Sequence, residues 1–147
     1  MSETLCDLIA AQQAKQFATQ CGTRMHDSLQ KITIDGENIC GDAALAEKIS
    51  GIDGAADYFS PRARTEVPVA GTINGVFVSR RIDRMIINDA QKIIRILDYK
   101  TDIDKSARRT KYQAQLREYC DLLRIIYPGY KICASILWTH DWQLENL

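Results

Sequence analysis

No apolar run in the sequence approaches the length that crosses a bilayer, which excludes a membrane-spanning helix. The N-terminal MSETLCDLIA lacks a basic segment followed by an apolar stretch, so a secretory signal is not expected and the cytoplasm is the expected compartment. No GxxxxGK[ST] occurs, and without a phosphate-cradling P-loop there is no ATP site and no ATP-driven motor on this chain. The five cysteines, Cys6, Cys21, Cys40, Cys120 and Cys133, are odd in number and form no C-x-x-C pair. Reduced, packed thiols are therefore expected in place of a disulfide framework, a zinc site or an iron–sulfur cluster. Net charge is also lacking: 19 Lys and Arg balance 19 Asp and Glu, which argues against a non-specific coat for nucleic acid. Repeats, low-complexity tracts and linkers are absent as well.

What remains is a chain of 147 residues with ordinary globular composition, read as a single domain over 1–147 with a core of its own. Its charge is unevenly spread. Residues 35–57 carry Asp35, Glu37, Asp42, Glu47, Asp53 and Asp57 against Lys48 alone. Arg80, Arg81 and Arg84 crowd the segment RRIDRM, and Lys100, Lys105, Arg108, Arg109 and Lys111 follow the segment ILDYKTD. Basic residues around an acidic centre suit a place where a polyanion is held beside a metal.

Periodicity divides the chain in two. Leu5, Leu8, Ile9 and Phe17 recur at helical spacings, predicting a helix over residues 4–20. Cys21-Gly22 predicts a break, with Thr23 capping a second helix that carries Met25, His26, Leu29 and Ile32. A turn at Asp35-Gly36, a small helix at 42–49 and a helical piece at 54–59 follow. From Thr65 the residues become β-branched, with Asn74-Gly75 signalling a hairpin and Asn88-Asp89 a second turn. TDIDKSARRT predicts a loop, KYQAQLREYCDLLRIIY an amphipathic helix ended by Pro128-Gly129, and YKICASILWT a buried strand. The order gives an α/β domain with a central mixed sheet flanked by helices.

Asp83 ends one strand, and fifteen residues on Asp98-Tyr99-Lys100 ends the next. Side chains i and i+2 of a strand share a face, so Asp98 and Lys100 point one way and Tyr99 the other. With the strands adjacent, two carboxylates and one ammonium surround a space suited to a hard cation, the arrangement that metal-assisted phosphodiester hydrolysis uses. Lys100 would orient the attacking water, neutralise charge in the transition state, or act deprotonated as a base; all three roles stay open. An isolated Asp-x-Lys is more often a surface ion pair. Gln115 and Tyr119 stand i and i+4 on the later helix and share a face, although this spacing alone more often describes one core tyrosine and one solvated glutamine.

VSRRIDRM, LDYKTD, YQAQLREY, YPGYKICASILWT and GTRMHDSLQ, in this chain's order and spacing, resemble the nuclease module of the RecB/AddA family, a branch of the PD-(D/E)XK nucleases. The resemblance covers about residues 22–140. It implies a restriction-endonuclease-like core and a Mg²⁺-dependent deoxyribonuclease, with Mn²⁺ as an alternative ion. Asp83 and Asp98 would be carboxylate ligands, His26 a nitrogen ligand, the Tyr99 carbonyl a backbone ligand and Lys100 the catalytic lysine. Gln115 and Tyr119 match the family's Gln-x-x-x-Tyr signature and would orient the DNA or the lysine. Glu66, in TEVPV, matches an acid that often opens the preceding strand. Arg80 departs from the small residue common at its position.

The family also implies surroundings. The domain would be excised from a larger protein, fused to an ATP-dependent helicase that delivers single-stranded DNA during double-strand-break repair by recombination. A second subunit of an AddAB-type complex would complete the channel. The alternatives are a stand-alone resolvase or restriction-type endonuclease and a catalytically silent DNA-binding module of the same fold.

Overall fold

The computed structural model describes residues 4–147. Helix α1, Leu5–Gln30, opens with a reciprocal cap in which the Thr4 hydroxyl accepts from the Asp7 backbone and Asp7 accepts from the Thr4 backbone. A small hairpin, β1 (Thr33–Asp35) and β2 (Asn38–Cys40), leads to α2 (Ala43–Ser50) and a 3₁₀ turn at Ala56–Phe59. The main sheet contains β3 (Arg64–Ile73), β4 (Val76–Asn88), β5 (Ile93–Lys100), β6 (Lys131–Trp138) and β7 (Gln143–Asn146), in the order β3-β4-β5-β6-β7. Helix α3, Lys105–Ile126, connects β5 to β6. Because a helix intervenes, β5 and β6 run parallel, while every other neighbour in the sheet is antiparallel. The domain is mixed α/β with a five-stranded mixed sheet and three α-helices. Among the described residues, no helix is long and apolar enough to cross a membrane.

The sheet has a core on each face. Leu116, Leu122 and Leu123 of α3 pack with Val69, Val78, Ile94, Ile96 and Ile136. On the other face Leu29 of α1, Ile49 of α2 and Tyr58 and Phe59 of the 3₁₀ turn cover Ile86, Leu97, Tyr99 and Leu137. The period-2 alternation of β5, with Ile94 and Ile96 to one core and Leu97 and Tyr99 to the other, is what sends Asp98 and Lys100 toward α3.

Sequence expectations change at several points. Asp83, expected to end a strand, lies within β4, and it is the β4–β5 pairing that stops beside it. The break at Cys21-Gly22 does not occur, and α1 is one continuous helix. Gly22 instead permits a close approach, since a Cβ there would lie 3.2 Å from the Thr101 hydroxyl oxygen just beyond β5. The hydroxyl of Thr23 donates to the Thr19 carbonyl within the helix at 3.0 Å, so it caps nothing. The first half of α1 is exposed, Leu5, Leu8, Ile9 and Phe17 included, and only the last turns dock. The polar run after Lys100 is loop only as far as Asp104, whose carboxylate accepts from the Ser106 and Ala107 amides and starts α3 early. Strands β1 and β2 surround the turn expected at Asp35-Gly36, and β7 is added at the sheet edge; both were too short and polar to show periodicity. The hairpin at Asn74-Gly75 forms as expected, both residues adopting positive φ (51° and 80°), as a type I′ turn requires.

Helix α1 carries no basic residue in its last turn. Arg84, from β4, serves its carboxyl end instead. The guanidinium is 2% exposed, donating to the Leu29 and Ile32 carbonyls at 2.8 Å, the Tyr58 carbonyl at 3.0 Å and the Tyr99 hydroxyl at 2.6 Å. Removing one acceptor strands a buried charged donor, so Tyr99→Phe should cost about 1–3 kcal/mol of unfolding free energy in urea titrations and leave far-UV circular dichroism unchanged.

Candidate active site

Strand pairing fails where the carboxylates stand. The β4–β5 ladder ends at Arg84 opposite Leu97, so Asp83 and Asp98, the next residues outward, are not paired. On the other side, the β3–β4 register passes from Thr65–Arg84 to Val67–Ile82 and skips Glu66, whose φ is 53°. The splayed strands would leave the Tyr99 amide without an acceptor. Asp83 Oδ2 takes that place at 2.8 Å, so the carboxylate is fixed by the backbone it replaces. Beyond β5 the sheet stays closed: the Thr139 amide donates to the Lys100 carbonyl at 2.9 Å.

Around this opening the structure gathers the residues expected to act. Lys100 Nζ lies 2.8 Å from Asp98 Oδ2 and donates to Gln115 Oε1 at 3.0 Å. Gln115 Nε2 donates to the Tyr119 hydroxyl at 2.7 Å, so the i, i+4 pair of α3 forms the far end of a chain that begins at Asp98. From α1, His26 Nε2 donates to the Tyr99 carbonyl at 3.1 Å, and Nδ1 stands 3.9 Å from Asp83 Oδ1. The imidazole meets the Tyr99 ring edge-on, with centroids 5.4 Å apart. Tyr99 is thus held at its amide by Asp83, at its carbonyl by His26 and at its hydroxyl by Arg84. Burial, with the neighbouring carboxylates, raises the Tyr119 phenol well above its ordinary range, keeping it a neutral partner for Gln115.

Asp83 is 9% exposed and Asp98 4%. Burial, followed by the Asp98 charge, raises Asp83 to about 8, against the smaller downward pull of the Tyr99 amide and Lys100. Two carboxylates forced together out of water with a single ammonium are a ready place for added positive charge. Asp98 Oδ2 also has no aligned hydrogen-bond donor, its close neighbour being the Lys100 ammonium. Among the described residues no three His, Cys, Asp or Glu side chains converge tightly enough to form a metal cluster by themselves. The donors that do converge, two carboxylates and the Tyr99 carbonyl, are oxygens. They fit a Mg²⁺-type ion, which retains several waters and takes few protein ligands. His26, engaged with that carbonyl, holds a donor in place; the nitrogen-ligand role requires the ring to exchange the carbonyl for an ion.

Other sequence-singled residues fall differently. Glu66 lies opposite Asp83, but its carboxylate accepts from Arg81 at 3.2 Å. Arg80 makes two contacts to Glu118 of α3, at 3.0 and 3.3 Å. Arg84, counted in the sequence with the basic crowd around the acids, is buried on the opposite face and holds no polyanion. Two contributors were missed. Tyr112 places its ring under the Lys100 ammonium, 4.2 Å from centroid to Nζ, and donates its hydroxyl to Asp102 at 2.6 Å. Its position three residues before Gln115 and seven before Tyr119, on one helix face, was the available signal. Arg84 had no such signal, because its acceptors, carbonyls of the α1 end and of Tyr58 and the Tyr99 hydroxyl, come from three distant segments.

Protein-family models and curated proteins, compared with the sequence, yield no match.

The sign of the Asp83 shift sets a pH expectation. A carboxyl raised in the folded state from about 3.8 to about 8 favours folding when protonated, so its stabilising protonation is complete below pH 4 and is lost as pH rises to 8. Asp83→Asn should therefore raise the metal-free Tm by several degrees at pH 8.5 and by progressively less toward pH 4, as followed by differential scanning fluorimetry. An unchanged or lower Tm at pH 8.5 would refute the buried like-charge account.

Proposed function

We propose that this chain is a metal-dependent deoxyribonuclease domain with a PD-(D/E)XK-type core. The observation that carries the reading is the convergence of Asp83, Asp98, Lys100 and Gln115 at the point where β4 and β5 part. The resemblance of the sequence motifs to those of RecB/AddA nucleases supports it, as does a β-β-β-α-β order that delivers the acids from adjacent antiparallel strands.

Asp83, Asp98 and the Tyr99 carbonyl would hold a Mg²⁺ or Mn²⁺ ion, which would supply Lewis-acid polarisation of the phosphate and a more acidic water. Asp83 is fixed for this by the Tyr99 amide, and the Tyr99 carbonyl by His26. The chain's own contribution to the chemistry centres on Lys100. Asp98 and Gln115 hold its ammonium from two sides and the Tyr112 ring supports it from a third, so it is ordered before substrate arrives. In that position the ammonium orients the attacking water and offsets negative charge growing on the non-bridging phosphate oxygens, a pre-organised contribution worth about 3–4 kcal/mol in comparable electrostatic sites. Tyr119, buried and neutral, fixes the Gln115 amide so that its oxygen faces the lysine.

The substrate in this reading is DNA, delivered as single strands by a helicase fused to the domain, with a second subunit of an AddAB-type complex completing the channel. Asp98→Ala and Lys100→Ala should each reduce Mg²⁺-dependent cleavage of labelled DNA at least about 100-fold. Both should retain the parent's circular dichroism. Cleavage at the parent's rate by both folded variants would overturn the assignment, and absence of Mg²⁺ or Mn²⁺ binding by calorimetry would favour a silent module.

A further inference from the structure

Two grooves share Tyr112, whose ring lies under the Lys100 ammonium, and they differ in charge. The larger, 1280 Å³, runs beneath α1 and is lined by Lys15, His26, Arg81 and Arg108 together with Asp27, Glu66 and Asp102. Its cations are largely matched, Arg81 by Glu66 and Arg108 by Asp102. The second, 820 Å³, lies between α3 and the β3–β4 hairpin. There Arg80, Lys100, Arg108, Lys111 and Arg117 face only Glu118 and Asp121. Glu118 is already matched by Arg80 and Asp121 by Arg124. Among the described residues, Lys111 and Arg117 have no carboxylate partner. Both are exposed, and between them α3 presents the exposed, small Ala114.

This imbalance stands out in a chain of zero net charge. Elsewhere on α3 the cations are satisfied: Lys105 pairs with Asp141 and Arg109 with Glu145 at 3.0 Å. The two cations of α3 that have no carboxylate partner among the described residues both line the groove that opens at the lysine. We propose that this groove is a strand-binding track, in which Lys111 and Arg117 hold consecutive phosphates of a polynucleotide on one side of Lys100. The proposal rests on the nuclease reading for the strand's destination, but the binding itself needs no catalysis. The two cations are about 9 Å apart along the helix axis, so a backbone lying along α3 meets both. Ala114 leaves the floor between them open, and Tyr112, which lines both grooves, stands where the strand passes from one to the other.

The experiment is fluorescence anisotropy with a labelled single-stranded oligonucleotide in EDTA, across a series of NaCl concentrations. Lys111→Gln/Arg117→Gln should weaken binding about tenfold or more at low salt. It should also lower the slope of log K against log[salt] by about 1.4, the value for two phosphates of a single strand. Lys131→Gln, at the opposite end of β6, should change neither quantity. Ala114→Trp alters no charge but fills the floor, and it should weaken binding without the same loss of slope. Parental affinity and slope in the double variant, or parental affinity in Ala114→Trp, would overturn the track. So would displacement of the oligonucleotide by polyglutamate of equal length at equal concentration, which would point to an acidic peptide as occupant. Cleavage by the parent in Mg²⁺ is assayed in parallel. If the double variant loses binding while the parent never cleaves, the track stands and the nuclease reading falls. If the parent cleaves and the double variant binds and cleaves as it does, the track falls and the nuclease reading stands.

Discussion

The Arg84 guanidinium lies between β4, the end of α1 and the 3₁₀ turn, and among the described residues no carboxylate pairs with it. Leaving water would cost a cation several kcal/mol if it were not solvated by the protein. Here backbone carbonyls solvate it, two of them at the negative end of a helix dipole, with the Phe59 ring 4.0 Å beneath. A planar fork of donors can satisfy several segments at once, which a lysine could not do. The consequence reaches the candidate site. By fixing the end of α1, Arg84 sets where His26 stands; by binding the Tyr99 hydroxyl, it sets the residue whose amide and carbonyl hold Asp83 and His26.

The candidate site works against that rigid frame by being electrostatically unfinished. Burial raises Asp83, and the nearby Asp98 charge raises it further, while a single ammonium serves both carboxylates. Folding tolerates this because the Tyr99 amide is otherwise unsatisfied and the strands cannot close over it. Protonation relieves that strain in the folded state, and an added cation would do the same.

Much of this was legible in advance. The switch from period 3.6 to period 2 located the helices and the three antiparallel strands, and alternation along β5 placed Asp98 and Lys100 on one face. Gln115 and Tyr119 share a helix face because i and i+4 always do, and the structure joins them to Lys100. Gly22 misled, because its propensity suggests a break whereas its missing Cβ serves contact with Thr101. The basic crowd misled as well. Charge in sequence says nothing of pairing: Arg80, Arg81, Lys105 and Arg109 turn out to be matched by acids remote in the chain and Arg108 by nearby Asp102, with Arg84 buried.

The sequence by itself determined the α/β class, the common face of Asp98 and Lys100 near the end of β5 and the common face of Gln115 and Tyr119, because these follow from local periodicity, which short-range sterics impose. Tertiary structure alone decided the rest. The skipped pairing at Asp83, the docking of α1 that brings His26 to the Tyr99 carbonyl, the aromatic support of Lys100 by Tyr112 and the buried role of Arg84 all join residues far apart in the chain. Their energies come from burial and from hydrogen bonds between segments, and neither exists until the sheet and its two layers have assembled.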